Sequence, residues 1–230
     1  MKKFIFSFLI LFAAANSFAQ TTRYQSKQFT LISFNYQISN DLKAKLTQFE
    51  QLFPETESRK ADRIIGPAKE ITWYLLKARL EKETGMYILP INSQGNKFKY
   101  DVYNFPSLSI NSALKRGTSR NYMKVDIMVS SGITKKETGY GANSKNETNA
   151  LDLKNNDLCI PSVTIELTLY NDKGILPIRK EIGTAVASEA WEMSEEVFTG
   201  IVNRKEYDRN RTNTLLGLTN AAITKLFNRL

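Results

Sequence analysis

The chain has 230 residues and predicts an α+β fold. We expect a two-layer sandwich in which helices pack on one face of a four- or five-stranded, mainly antiparallel sheet. Three observations carry this expectation. Residues 122–129 and 163–169 alternate apolar with polar side chains, the two-residue period of half-buried strands. Residues 64–80 and 215–230 carry apolar stripes at helical spacing. Strands and helices follow one another irregularly, without the strict alternation that builds a parallel α/β sheet.

The elements follow in order. Residues 1–19 read as a secretory signal peptide, and the mature chain is expected to start at Gln20. Lys2 and Lys3 precede an apolar run from Phe4 to Ala15, and Ser17, Phe18 and Ala19 form a small-residue cleavage box. Residues 28–36 predict a strand with Thr30, Ile32, Phe34 and Tyr36 on one side and Phe29 and Leu31 on the other, buried on both faces. Asn40 suits a helix cap, and Leu42, Leu46, Phe49 and Phe53 share a stripe that Pro54 ends. Residues 55–62 read as a charged linker. The division is therefore a leader at 1–19, an N-terminal strand, helix and linker at 20–60, and an α+β domain at 61–230.

Gly66 and Pro67 suit the start of the longest helix, and Gly85 its end. Ile64, Ala68, Ile71, Leu75 and Ala78 form its main stripe. Trp73, Leu76 and Leu80 make a second apolar face, which either packs on the 42–53 helix or serves a partner. Residues 86–91 predict a short strand, 100–106 an irregular aromatic stretch, and Ser107 or Ser109 the cap of a short helix stopping at Gly117. The strands at 122–129 and 163–169 predict antiparallel neighbours. Between them, residues 132–157 form a long polar loop, a length that signals function or disorder. Asn171, Asp172, Lys173 and Gly174 predict a tight turn. The returning strand, 175–187, has small residues Gly183, Ala185 and Ala187 on one face, which lets a helix approach closely. Residues 188–207 fit either a helix or a strand extension. Asn210 or Thr212 caps a final helix, 212–230.

Composition narrows function. The single cysteine, Cys159, excludes an intrachain disulfide. Export without disulfides points to a bacterial envelope, in the periplasm or associated with the outer membrane. No cysteine follows the leader to take a lipid, and no later segment is apolar for long enough to span a bilayer. The formal net charge is +9, yet the basic residues occur at most in pairs, so no nucleic-acid stripe is present. The chain has no histidine, which removes the Ser-His-Asp and Cys-His pairs and the histidine-bearing zinc sites. No cofactor or metal is expected.

The candidate binding residues are aromatic: Tyr100, Tyr103, Phe105, Tyr140, Trp73 and Trp191. Their faces suit sugar rings, and equally a core lid. Glu189, Glu192, Glu195 and Glu196 lie near Trp191. A pair of them across a cleft would suit a carbohydrate-active hydrolase; on one element they form a solvated acidic face. A carrier of small apolar ligands is a further alternative.

The order of elements from about Gly66 onward, with the hairpin at 163–187 and the closing helix at 212–230, resembles accessory proteins of the bacterial envelope. These are the curli-export type of outer-membrane protein, the lipoprotein activators of cell-wall synthases, and the amino-terminal domain of the periplasmic Tol protein. The resemblance implies a small sheet with helices on it and no enzymatic activity. The expectation is an exported, non-catalytic protein that binds another envelope protein or cell-wall component.

Overall fold

A computed structural model describes residues 24–55, 60–131, 158–203 and 213–228. The expected leader, the 132–157 loop with Tyr140, and the Asn210 and Thr212 caps lie outside the described residues. Strand β1 (Gln28–Ile38) leads to helix α1 (Asn40–Leu46), a 3-10 segment (Thr47–Leu52), helix α2 (Ile65–Thr84), strand β2 (Tyr87–Ile88), helix α3 (Ile110–Arg116) and strand β3 (Asn121–Ser130). Then come β4 (Leu158–Cys159), β5 (Ser162–Asn171), β6 (Arg179–Val186), β7 (Trp191–Glu192), a 3-10 turn (Glu195–Phe198) and helix α4 (Leu215–Phe227).

The fold is α+β with a five-stranded sheet in the order β2-β1-β3-β5-β6, while β4 and β7 form a separate pair. The sheet is mixed, which corrects the expectation of a mainly antiparallel one. β1 runs parallel to both β2 and β3, whereas β3–β5 and β5–β6 are antiparallel. The antiparallel half is built by strands close in sequence. The parallel half joins β1 to a strand about ninety residues later, a pairing no local turn signal announces.

A β-bulge between Leu31 and Ser33 reverses the face that side chains take along β1. Phe29 and Leu31 before it, and Phe34 and Tyr36 after it, all enter the main core, while Ile32 enters a small second cluster with Phe98, Ala113 and Tyr122. The single two-faced alternation expected for this strand is corrected accordingly. The second cluster also corrects the placement of helices on one face alone: α3 brings Ala113 to the side opposite α2 and α4.

α4 packs on β5 and β6, and α2 packs on β1, β2 and α4. The C-terminal end of the Leu42–Phe53 stripe packs on the 3-10 turn. Phe49 and Phe53 meet Phe198 of the 3-10 turn at 5.6 and 5.3 Å between ring centroids. In α2 both expected stripes feed the buried face. Ile64, Ala68 and Ile71 of the first and Trp73, Leu76 and Leu80 of the second are buried, together with Lys69, Thr72 and Thr84, whereas Leu75 is half-buried and Ala78 exposed. Three polar residues on the buried face, Lys69, Thr72 and Thr84, dilute its apolar signal. Leu76 and Leu80 are wholly buried, and each contributes about 2 kcal/mol by leaving water.

Two smaller corrections concern turns and caps. The β5–β6 connection is wider than a tight turn: Leu169 pairs with Arg179, and Asn171 folds its side chain back onto the Lys173 amide. The α4 cap is Thr214, whose hydroxyl accepts from the Gly217 amide at 3.0 Å.

Candidate functional site

The site grows from one edge of β1. β2 covers that edge at Gln28 and Phe29, and the Phe34 amide donates to the Pro106 carbonyl at 3.3 Å. Ser33 bridges Ser107 in antiparallel fashion. Residues 99–107 thus fold back on themselves against β1. Asp101 organises this reversal: its Oδ1 accepts from the Tyr103 and Phe105 amides, both at 2.9 Å. Asn104 takes the left-handed conformation, φ +62°, that the reversal needs and that asparagine tolerates.

Lys69 reaches this loop from α2. Its side chain is 4% exposed, and its Nζ donates to Asp101 Oδ2. The ammonium is ringed by Phe105 at 4.9 Å, Tyr103 at 5.3 Å and Phe34 at 5.7 Å from the ring centroids. Their negative faces suit a cation that has left water. Phe34 stacks on Phe105 at 5.0 Å, and Trp73 meets Phe34 edge-on at 5.4 Å. Burial pushes the Lys69 ammonium below the usual lysine range, against the opposing pull of Asp101.

A support lies behind the rings. The Tyr103 hydroxyl accepts from the Asp62 amide at 2.8 Å. Asp62 in turn accepts from the Ile64 and Ile65 amides at the start of α2 and pairs with Lys43 at 2.9 Å. Burial would push its pKa up, but Lys43 and the two amides outweigh that and hold it below the usual carboxylate range. The charged stretch expected as a linker therefore ends in the residue that seats the helix.

In front of Lys69 is a pocket of about 280 Å³. Lys69, Asp101, Ser107, Asn35, Lys124 and Asp126 supply its polar wall. Lys124 and Asp126 project from the open face of β3 and pair at 2.8 Å. The hydrogen bond to Asp126 raises the Lys124 ammonium above its ordinary range, with burial opposing.

Three of the aromatic candidates converge here: Trp73, Tyr103 and Phe105. Trp73 and Phe105 are buried, so they form a floor beneath Lys69 and offer no free face to a sugar. Tyr100 packs against the second cluster, and its hydroxyl reaches the Ile91 carbonyl at 3.5 Å. Trp191 lies elsewhere, on β7 opposite Cys159. Glu189, Glu192, Glu195 and Glu196 are exposed. Of these, Glu189 alone borders the pocket beside Trp191, among the described residues. The facing carboxylates that the hydrolase reading needs are not assembled. Cys159 is buried, and burial pushes its thiol up, away from the reactive thiolate.

Sequence reasoning passed over Lys69 and Asp101. The available signal was a lysine four residues before Trp73, on the same helical face as Leu76 and Leu80, and an aspartate among Tyr100, Tyr103 and Phe105.

A second cleft, about 690 Å³, is lined by Lys27, Gln94, Ser119 and Arg120 among others. Its buried polar groups satisfy one another: Gln94 accepts from Thr118, and Ser119 pairs with Thr30. Leu89 is the one apolar side chain among its described lining residues, which does not suit an apolar cargo. Among the described residues no cluster of three or more potential metal ligands occurs, and no helix is long and apolar enough to cross a membrane.

No family model matches the chain, and no curated protein matches it. Solved structures do. A hypothetical protein from Chlamydia trachomatis is 10% identical, with a TM-score of 0.40 over 89% of this chain and 95% of its own. A neuraminyllactose-binding hemagglutinin homolog from Helicobacter pylori is 11% identical, with a TM-score of 0.38 over 91% of this chain and 83% of its own. A PelC dodecamer from Paraburkholderia phytofirmans is 10% identical, with a TM-score of 0.30 over 87% of this chain and 91% of its own. Similarity this distant carries no functional argument. These three are not the envelope families whose layout the sequence resembles.

Proposed function

We propose that this is an exported, non-catalytic bacterial envelope protein that binds another envelope component, and that the Lys69 pocket is where it does so. One observation carries the reading: a charged lysine is held almost wholly out of water at a pocket floor. That arrangement costs stability unless something beyond the fold uses it. Asp101 favours the charged, non-nucleophilic form of Lys69 and shares no hydrogen bond with a serine or cysteine. The groups around the pocket are thus suited to recognition and lack a nucleophile–base pair. Export rests on the leader at residues 1–19.

The test is site-directed photocrosslinking in intact cells. A crosslinking residue replaces exposed Ser107 at the pocket wall, and a control replaces exposed Glu192 on β7. A discrete adduct at position 107 and none at 192 is the expected result. No adduct at 107, or the same adducts at both positions, would overturn the reading. Mass spectrometry of the protein recovered from the same cells should give Gln20 as the first residue; a chain retaining residues 1–19 would contradict export.

A further inference from the structure

Resting on that reading, we propose that the pocket takes a small zwitterion of the amino-acid type, its carboxylate on the Lys69 and Lys124 ammoniums and its ammonium on Asp126. A lysine ammonium has three N–H donors. Asp101 takes one from Lys69, and the surrounding rings offer negative faces but no lone pairs. Lys69 is therefore a buried cation at the pocket wall whose one hydrogen-bond acceptor among the described residues is Asp101. A buried charge is stable when its hydrogen bonds are complete, so an incoming acceptor has more to gain here than at the surface.

The carboxylates of the pocket differ in what they have left to offer. Asp101 uses Oδ1 on two amides and Oδ2 on Lys69. Asp126 engages one oxygen, Oδ2, with Lys124. Asp126 is thus the acceptor open to a ligand cation. Lys124 retains donors beside its contact with Asp126 and supplies the second cation.

Charge balance narrows the ligand further. The pocket brings two lysines and two aspartates together. A dianion such as phosphate would meet both carboxylates, and like charges in one site are costly. An uncharged apolar molecule would cover the Lys69 donors and satisfy none. A molecule with one negative and one positive end matches the three groups left with capacity, Lys69, Lys124 and Asp126. The cavity, about 280 Å³, falls just below the ~300–1,000 Å³ of drug-sized sites, which suits a single residue. Ser33, Asn35 and Ser107 add neutral donors and acceptors along the wall.

The experiment is an amide-resolved NMR titration of the mature protein, residues 20–230, with four probes: alanine, N-acetylalanine, alaninamide and inorganic phosphate. Alanine should give saturable shifts at Ser33, Asn35 and Ser107. N-acetylalanine, lacking the ammonium, and alaninamide, lacking the carboxylate, should each bind about tenfold more weakly or worse, the scale of one lost charge-assisted contact. Asp126→Asn should weaken alanine by a similar factor while leaving N-acetylalanine unchanged. Lys69→Met should abolish the alanine shifts; if that variant fails to fold, Lys124→Met serves in its place, with about tenfold loss expected. No saturable shift with alanine, or equal binding of alanine, N-acetylalanine and phosphate, would overturn the assignment. The crosslinking at position 107 separates the two ideas. Capture that persists while alanine fails to bind ends the zwitterion and leaves the binding reading standing; loss of capture ends both.

Discussion

Lys69 and Asp101 pose opposite problems to the folded chain, and substitution should expose the difference. Asp101→Asn keeps the oxygen that holds the Tyr103 and Phe105 amides but leaves the lysine buried without its counter-charge. We expect a loss of about 3 kcal/mol, read from urea unfolding. The double change Lys69→Met with Asp101→Asn removes the charge along with its partner, and the methionine fills the aromatic ring. It should recover that loss and end at or above the parent stability, by up to ~1–4 kcal/mol. A double variant as unstable as the single one would show that the ion pair serves the fold and would weaken the case for a site. Lys69 also bears on legibility. Trp73, Tyr103 and Phe105 stood out in the sequence as aromatic, but their role as a floor beneath a cation did not. Nothing in a linear reading marks one lysine among thirty-two basic residues as the buried one until its helical face is known.

Elements test the same physics in packing and capping. Gly183 of β6 lies so close to α4 that an added Cβ would fall 2.2 Å from the Ala222 carbonyl oxygen and 2.5 Å from the Leu226 nitrogen. Gly183→Ala should therefore push the helix off the strand and cost about 1–3 kcal/mol. Gly174→Ala, where a Cβ meets nothing within 4 Å, should leave the melting temperature almost unchanged. Equal effects would contradict the close contact. At the start of α2, Asp62→Ala removes the oxygen that accepts from two amides and the partner of Lys43, and should cost about 1 kcal/mol. The native-state carboxyl titrates below its unfolded value. Its contribution is thus complete above the ordinary aspartate range and is lost as the pH falls through the lowered value. The gap in stability between parent and Asp62→Ala, followed by urea unfolding from neutral to acid pH, should close as the medium is acidified. A gap that widens would reverse the sign. Local signals revealed most elements: the small face of β6, the Gly85 stop, the Ser109 cap and the β3–β5 alternation all reappear in the structure. They failed where a residue acts against its type, as with the polar members of the buried face of α2, and where a bulge shifts the alternation of β1.

At the scale of the whole molecule the sheet divides into two regimes. The antiparallel half, β3-β5-β6, was readable because its strands carry matching alternation. The parallel half was not, because β1 and β3 are separated by three helices, a short strand and the loop that builds the pocket. The pocket exists only once that separation is closed: Ser33 and Asn35 come from β1, Lys69 from α2, Asp101 and Ser107 from the loop, and Lys124 and Asp126 from β3. Ligand binding should consequently protect the sheet as a unit. Saturating alanine should slow backbone amide exchange in β1 and β3 together, and protection confined to residues 99–107 would contradict this. The inner position of β1, between β2 and β3, has another effect. A chain delivered through a narrow pore from its N-terminal end would present Phe29, Leu31 and Phe34 long before Met123, Val125 and Ile127 arrive to cover them. Such a chain stays pliable and threadable until more than half of it has crossed, and in the interval it depends on holding factors at the far side to keep those oily residues from adhering to one another.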